Sequence, residues 1–190
     1  MRHILAVAAC MLAAPAPALA DCTSELDAIF KAQLSTPYRT EMTVQANGAP
    51  MKVTADVIYP GSFHIKSDAM ETIMLDKKAW MRMGGEWQAM PAEAAAMMAE
   101  MIETGVSKGV AGVRDVQCLG SQSYEGGTYD AYAFSTSGEM MGVKSTASVT
   151  LYAADGLPAW LVVSGEAMGT KSVTVQKVTF DPSITISPPQ

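Results

Sequence analysis

The stretch Met51-Lys-Val-Thr-Ala-Asp-Val-Ile-Tyr59, followed by Pro60-Gly61 and Phe63-His-Ile-Lys66, decides the fold. Its valine and alanine residues alternate with lysine, threonine and aspartate, the period of two typical of a strand with one buried face. Proline and glycine mark a turn, so the segment after them is predicted to run back beside the first. We therefore expect an antiparallel hairpin here.

The same pattern recurs on both sides of this hairpin. Short alternating segments between turn residues predict further strands at 39–46, 71–76, 79–83, 86–90, 113–121, 128–136, 143–153, 158–165 and 171–180. Asp155-Gly156 has the composition of a two-residue hairpin turn. The predicted fold is α+β, with one curved antiparallel sheet of about ten strands that forms a half-open β-barrel.

Two segments have the 3.6-residue period of a helix instead. The first, at 24–34, begins at Ser24, a good capping residue. The second begins at Pro91, which is tolerated in a first helical turn, and runs to Thr104. Its apolar stripe consists of Ala94, Met97, Met98, Met101 and Ile102. We expect an N-terminal helix and an inserted lid helix to cover the concave side of the sheet.

The first twenty residues have the three parts of a secretory signal: a basic end, the apolar run Ile4–Leu12, and the small-x-small ending Ala18-Leu19-Ala20. The run is shorter than the ~20 apolar residues that span a bilayer. We therefore expect 1–20 to be a cleaved signal peptide and 21–190 to be a single soluble domain in the periplasm.

Removing the signal changes the charge and the cysteine count. Loss of Arg2 leaves twelve basic and nineteen acidic residues, a net charge of −7. This argues against nucleic acid or an anionic membrane surface as a partner, because both require clustered Lys and Arg. Cys10 leaves with the signal, and the remaining pair, Cys22 and Cys118, is expected to form a disulfide in an exported protein.

Nothing in the sequence indicates catalysis. His64 is the one histidine left after the signal, and it alternates with Phe63 and Ile65, so we expect it to face solvent. No Gly-x-Ser-x-Gly elbow is present, and the two cysteines are expected to be paired. We predict a protein that is not an enzyme, with no catalytic residue and no cofactor.

Methionine is heavily used, with fifteen in the chain. Zinc is disfavoured without thiols or paired histidines, but thioethers select Cu(I). The runs concerned are Met81-Arg-Met83, Met97-Met98-x-x-Met101 and Met140-Met141. The first two have the spacing of residues that pack on a strand or helix, and no metal ligand is assigned. The preferred interpretation is a flexible, polarizable surface that adapts to apolar ligands, with methionines lining the lid helix.

Several passages resemble a known family. They are Val57-Ile-Tyr-Pro-Gly-Ser-Phe63-His-Ile65, Ala79-Trp-Met-Arg-Met-Gly-Gly-Glu-Trp87, Leu151-Tyr-Ala-Ala-Asp-Gly-Leu-Pro-Ala-Trp-Leu161 and the ending from Phe180. Together they resemble the periplasmic lipoprotein-carrier superfamily, which includes the bacterial lipoprotein chaperone and receptor and mycobacterial lipid-binding lipoproteins. The resemblance implies a half-open barrel wrapped round helices, with an apolar cavity for acyl chains.

The sequence therefore predicts a carrier for a lipid, lipoprotein acyl chains or another apolar ligand, with a lipoprotein or a membrane-bound protein as a further partner. The residues expected to line its cavity are Phe63, Ile65, Met74, Trp80, Met97, Met98, Met101, Leu151 and Trp160. Two alternatives are a methionine-based copper protein and an accessory domain whose sheet holds a segment of a partner protein.

Overall fold

The structure is a computed structural model that describes residues 19–46, 48–107, 112–140, 143–167 and 169–190. Most of the predicted signal peptide and Met141 lie outside these ranges. Within them the elements are α1 (Leu19–Gln33), β1 (Tyr38–Gln45), β2 (Met51–Ile58), β3 (Ser62–Ser67), β4 (Glu71–Leu75), β5 (Lys78–Arg82), β6 (Gln88–Ala89), α2 (Ala92–Ser107), β7 (Val113–Tyr124), β8 (Gly127–Met140), β9 (Val143–Ala154), β10 (Leu157–Ala167) and β11 (Thr170–Phe180).

All the strands belong to one antiparallel sheet, in the order β6-β5-β4-β3-β2-β1-β11-β10-β9-β8-β7. The first and last strands of the chain pair in the middle of the sheet, with Tyr38 opposite Phe180. The short β6 and the long β7 are its two edges, so the curved sheet does not close. This confirms the predicted half-open barrel, with eleven strands where about ten were expected.

One face of the sheet carries the helices, and we call it the concave face; the other is the convex face. Paired residues point to the same face, and alternate residues along a strand point to opposite faces. Phe63, Met74 and Ala79 lie side by side across three strands and are all buried on the concave face. The alternation of apolar and polar residues in the sequence therefore indicates correctly which side chains of these strands form the core.

Helix α1 packs on the strands at the β7 side of the sheet. Its Leu26 and Ile29 are buried in a cluster, the α1 cluster, whose sheet members are Tyr132, Phe134, Val149, Leu151 and Ala153. The expected disulfide between Cys22 and Cys118 is present, with Cα atoms 5.5 Å apart. The hydroxyl of Tyr132 also donates a hydrogen bond of 2.9 Å to Glu25.

The first helix begins earlier than the sequence predicted. It starts at Leu19, so Ser24 lies inside the helix and does not cap it. Leucine and alanine at 19 and 20 are strong helix formers, and nothing between them and Ser24 stops a helix. Within the described residues, the predicted start of the helix was therefore at least five residues too late.

Helix α2 packs on the other side of the sheet, with its inner face rotated from the predicted stripe. Ala95 is buried, and Met98 and Ala99 pack against the cluster of Phe63, Met74 and Ala79, which we call the α2 cluster. Met97, expected to face inward, is 72% exposed. Ala95 and Ala99, four residues apart, lie on the same face of the helix. Because their side chains are small, this face can approach the sheet closely, and it therefore turns inward.

Candidate functional site

The middle of the concave face lies between the two helices. Here Gln176 of β11 is opposite Met42 of β1, and Met42 is opposite Val53 of β2. Val44 occupies the next concave position along β1. We call Met42, Val44, Val53 and Gln176 the central strip. All four side chains are half-buried, and neither helix cluster includes any of them.

The central strip is chemically suited to an apolar guest. Three of its four side chains are apolar, and they stay partly open to water although they lie on the face that forms the core. Burying apolar surface is favourable by roughly 25 cal/mol per Å², so a hydrocarbon placed on the strip would gain from the water it displaces. Met42 is unbranched and can adapt to guests of different shape.

The predicted cavity residues on the concave face lie beneath the helices. Phe63 and Met74 are fully buried in the α2 cluster, while Ile65 and Met98 are half-buried against it. Leu151 is fully buried in the α1 cluster. Phe63, Ile65 and Met74 therefore form the floor on one side of the central strip and Leu151 on the other, while Met98 packs on this floor from α2.

Both tryptophans of the predicted cavity were assigned to the wrong face. Trp80 pairs with Ile73, which pairs with His64, and these positions alternate with those of Phe63, Met74 and Ala79. Trp160 pairs with Tyr152, whereas its neighbour Leu161 pairs with Leu151 on the concave face. The period of two places both indoles on the convex face.

Trp160 belongs to an aromatic group on that convex face. Its indole N–H donates to the hydroxyl of Tyr129 at 3.3 Å, and its ring lies edge-on to Tyr124 with centroids 5.6 Å apart. Tyr124 stacks on Tyr152 with centroids 4.3 Å apart. Desolvation, helped by the Glu125 carboxylate and Tyr152, raises the pKa of the Tyr124 phenol. These contacts stiffen the outer side of the sheet and do not line the central strip.

His64 lies on the face opposite Phe63 and Ile65, as the alternation predicted, but it is only partly exposed because it contacts a carboxylate. Its Nε2 is 2.7 Å from Oε1 of Glu71, and Arg82 donates to the other carboxylate oxygen of Glu71. The Arg82 guanidinium lies over the ring of Trp87, 4.9 Å from its centroid. Burial raises the pKa of Glu71, but the bonds from His64 and Arg82 outweigh burial, and the pKa is lowered overall. Sequence reasoning missed this network because it depends on the register of three strands.

The sequence prediction also missed the central strip. The alternation that identifies a concave face was present in the sequence of β1. Thr40, Met42 and Val44 share one face of this strand, and Arg39, Glu41 and Thr43 share the other. The pairing of β1 with β11 could not be predicted from the sequence. This pairing places the three residues between the two helices and not under either helix.

The structure turns two neighbouring methionines of the lid helix to different sides. Met97 is exposed, while the adjacent Met98 packs inward. The side chains of Met101 and Met140, and the whole of Met141, lie outside what the structure describes. Among the described residues, no group of three or more His, Cys, Asp or Glu side chains is arranged to hold a metal ion. No helix in the described ranges has the length and apolar character needed to cross a bilayer.

The fold is similar to that of two mycobacterial proteins of known structure. LprF from Mycobacterium bovis superposes with a TM-score of 0.56 over 90% of this chain and 97% of its own, at 12% identity. The lipoprotein LppX from Mycobacterium tuberculosis superposes with a TM-score of 0.57 over 90% of this chain and 100% of its own, at 8% identity. No protein-family model and no curated protein sequence matches the chain.

A weaker likeness, with a TM-score of 0.38 at 10% identity, is to a LolA superfamily protein from Nitrosomonas europaea, over 86% of this chain and 92% of that one. The two stronger superpositions cover nearly the whole of both partners. The chain therefore has the half-open barrel fold that the sequence resemblance implied.

Proposed function

We propose that the protein is a non-catalytic carrier that works outside the cytoplasm and holds a lipid, the acyl chains of a lipoprotein or another apolar ligand on its concave face. The observation that carries this proposal is the central strip. Apolar side chains there lie on the core-forming face of the sheet, and yet they are only half-buried.

The helices explain why a ligand would lie on the strip and not elsewhere. The α1 and α2 clusters are filled by buried side chains such as Leu26, Leu151 and Met74, and close-packed cores leave no room for a guest. The strip between them has an apolar floor and helices on either side, the arrangement typical of a pocket for an apolar molecule. A guest there would complete the core without rearranging it.

The disulfide supports a location outside the cytoplasm. Cys22 and Cys118 join α1 to β7, and such bonds persist in oxidising compartments such as the periplasm. The predicted signal at 1–20 is consistent with the same route.

A matched pair of single variants tests the proposal. Met42→Gln places an amide on the concave face, and Thr43→Gln places the same side chain on the convex face one residue later. An amide buried without a partner costs about 1–3 kcal/mol, so Met42→Gln should weaken binding of a fluorescent fatty acid by at least about fivefold. Thr43→Gln should change it by less than about twofold.

Thermal unfolding of both variants checks that each is folded at the temperature of the titration. Equal affinities for the two folded variants would contradict a ligand on the concave face. If the wild-type protein binds no fatty-acid probe at all, the carrier proposal fails. Native mass spectrometry of the exported protein would then identify any other small molecule it retains.

A further inference from the structure

The two ends of the sheet differ in the chemistry of their turns. Because the strands are antiparallel, the β1–β2, β3–β4 and β5–β6 connections lie at one end. At the opposite end the tight turns carry charges, namely Asp76-Lys77, Glu125-Gly126 and Asp155-Gly156, all with positive φ. The first end carries the charged residues Asp68 and Glu86 in its connections, and it also presents Met51, Met70 and Met83, which we call the methionine rim.

Every side chain of the methionine rim is substantially exposed. The exposed fractions are 50% for Met51, 39% for Met70 and 70% for Met83. Neighbouring strands lie about 4.8 Å apart, so the distance from β2 to β5 places the three side chains within roughly 15 Å of one another. Leaving three large apolar side chains in water at one end of a domain is unfavourable unless something covers them.

The rim is built into the fold. Met51 is opposite Val44, so it continues the central strip to the end of the sheet. Met70 lies in a turn closed by Ser67, whose backbone N–H donates to the Met70 carbonyl at 2.8 Å and whose hydroxyl accepts from the Met70 N–H at 3.1 Å. The turn therefore presents Met70 in a defined position.

Cationic side chains stand beside these methionines. Lys52 follows Met51, and Lys66 lines a cleft of about 290 Å³ together with Met70, Arg82 and the carboxylates of Asp68 and Glu71. Neither lysine takes part in an ion pair within the described ranges. Apolar tips next to ammonium groups match the boundary of a phospholipid layer, where acyl chains meet phosphates.

We propose that the methionine rim rests on the surface of a zwitterionic phospholipid bilayer. The acidic net charge of the chain, −6 in total, disfavours an anionic surface, so the apolar tips and not long-range attraction provide the affinity. Flexible thioethers at one strand end and in two connections can enter a fluid boundary without matching pockets, which a protein partner would have to supply. Since Met51 adjoins the central strip, the docked rim places the strip at the bilayer; this last step rests on the proposed carrier function.

Vesicle flotation tests the docking directly. The variant with Met51→Gln, Met70→Gln and Met83→Gln should lose at least about tenfold in partitioning to phosphatidylcholine vesicles. The matched control carries Tyr59→Gln and Leu119→Gln, which remove exposed apolar side chains away from the rim, and it should stay within about twofold of wild type. Wild-type protein should bind phosphatidylglycerol vesicles no more tightly than phosphatidylcholine vesicles.

Three outcomes would overturn the docking proposal: flotation of the triple variant equal to wild type, absence of wild-type flotation, or self-association of wild type through the rim in place of vesicle binding. Titration of a fluorescent fatty acid without vesicles separates the two proposals. Probe binding without flotation leaves the carrier function standing and removes the docking. Rim-dependent flotation without probe binding removes the carrier function and leaves the docking.

Discussion

At the scale of single residues, Glu71 connects three strands that the sequence treats as separate. Its carboxylate accepts from His64 on β3 and from Arg82 on β5, and its side chain is 12% exposed. Hydrogen bonds to a charged group are roughly twice as strong as neutral ones. The network lies on the convex side of the strands that support α2, so it stiffens one wall of the half-barrel.

This network predicts a pH-dependent contribution to stability. The pKa of Glu71 is lowered in the folded protein from an ordinary value of 4.5, so the stabilisation is fully present above that pH and is lost as pH falls through the lower folded value. At pH 7, Glu71→Gln should reduce the free energy of unfolding by about 1–2 kcal/mol, and the difference from wild type should shrink towards pH 3.

Urea unfolding at several pH values measures the effect, with Glu86→Gln, at an exposed loop position, as the control. A Glu71→Gln difference that is the same at pH 3 and pH 7 would show that the carboxylate charge does not contribute. The dispensability of His64 for function stays a prediction, and His64→Ala in the fatty-acid assay tests it.

At the scale of elements, the orientation of α2 determines which methionine matters. Met98 packs against the α2 cluster, while the adjacent Met97 points to solvent. The sequence pattern was compatible with either residue facing inward, because both lie within one broad apolar stripe. Which of the two methionines faces inward depends on how closely Ala95 and Ala99 let the helix approach β5. This packing is between residues far apart in the chain, so it could not be predicted from the helix sequence.

The two adjacent residues provide a test of this orientation. Met98→Gln should lower the free energy of unfolding by about 1–3 kcal/mol, since it places an amide in an apolar contact. Met97→Gln should change it by less than about 0.5 kcal/mol, as is usual for exposed positions. Urea unfolding of both proteins gives the comparison, and equal losses would contradict the described rotation of the helix.

At the scale of the whole molecule, much of the fold could be predicted because the period of two and the turn residues are local signals. The hairpins on both sides of α2 and the pairing of Cys22 with Cys118 follow from such signals and from composition. The pairing of β1 with β11 depends on contacts between residues far apart in the chain. That pairing determines the central strip, so the candidate site was predicted only in part.

The tryptophans show the same limit. Trp80 and Trp160 were predicted to line the cavity, and both belong to passages that resemble the lipoprotein-carrier superfamily. Their neighbours Ala79 and Leu161 occupy the concave positions, so strand alternation turns both indoles outward. The register of the strands therefore determines the face on which each indole lies.

The central claim is that an apolar ligand lies on the concave face between α1 and α2. Photo-crosslinking with a diazirine analogue of palmitic acid, followed by peptide mapping, measures this position directly. We predict labels on β1, β2 and β11 at or beside Met42, Val53 and Gln176, which excess palmitic acid should suppress. Labelling confined to the convex face around Tyr152 and Trp160, or labelling that palmitic acid does not suppress, would contradict the account.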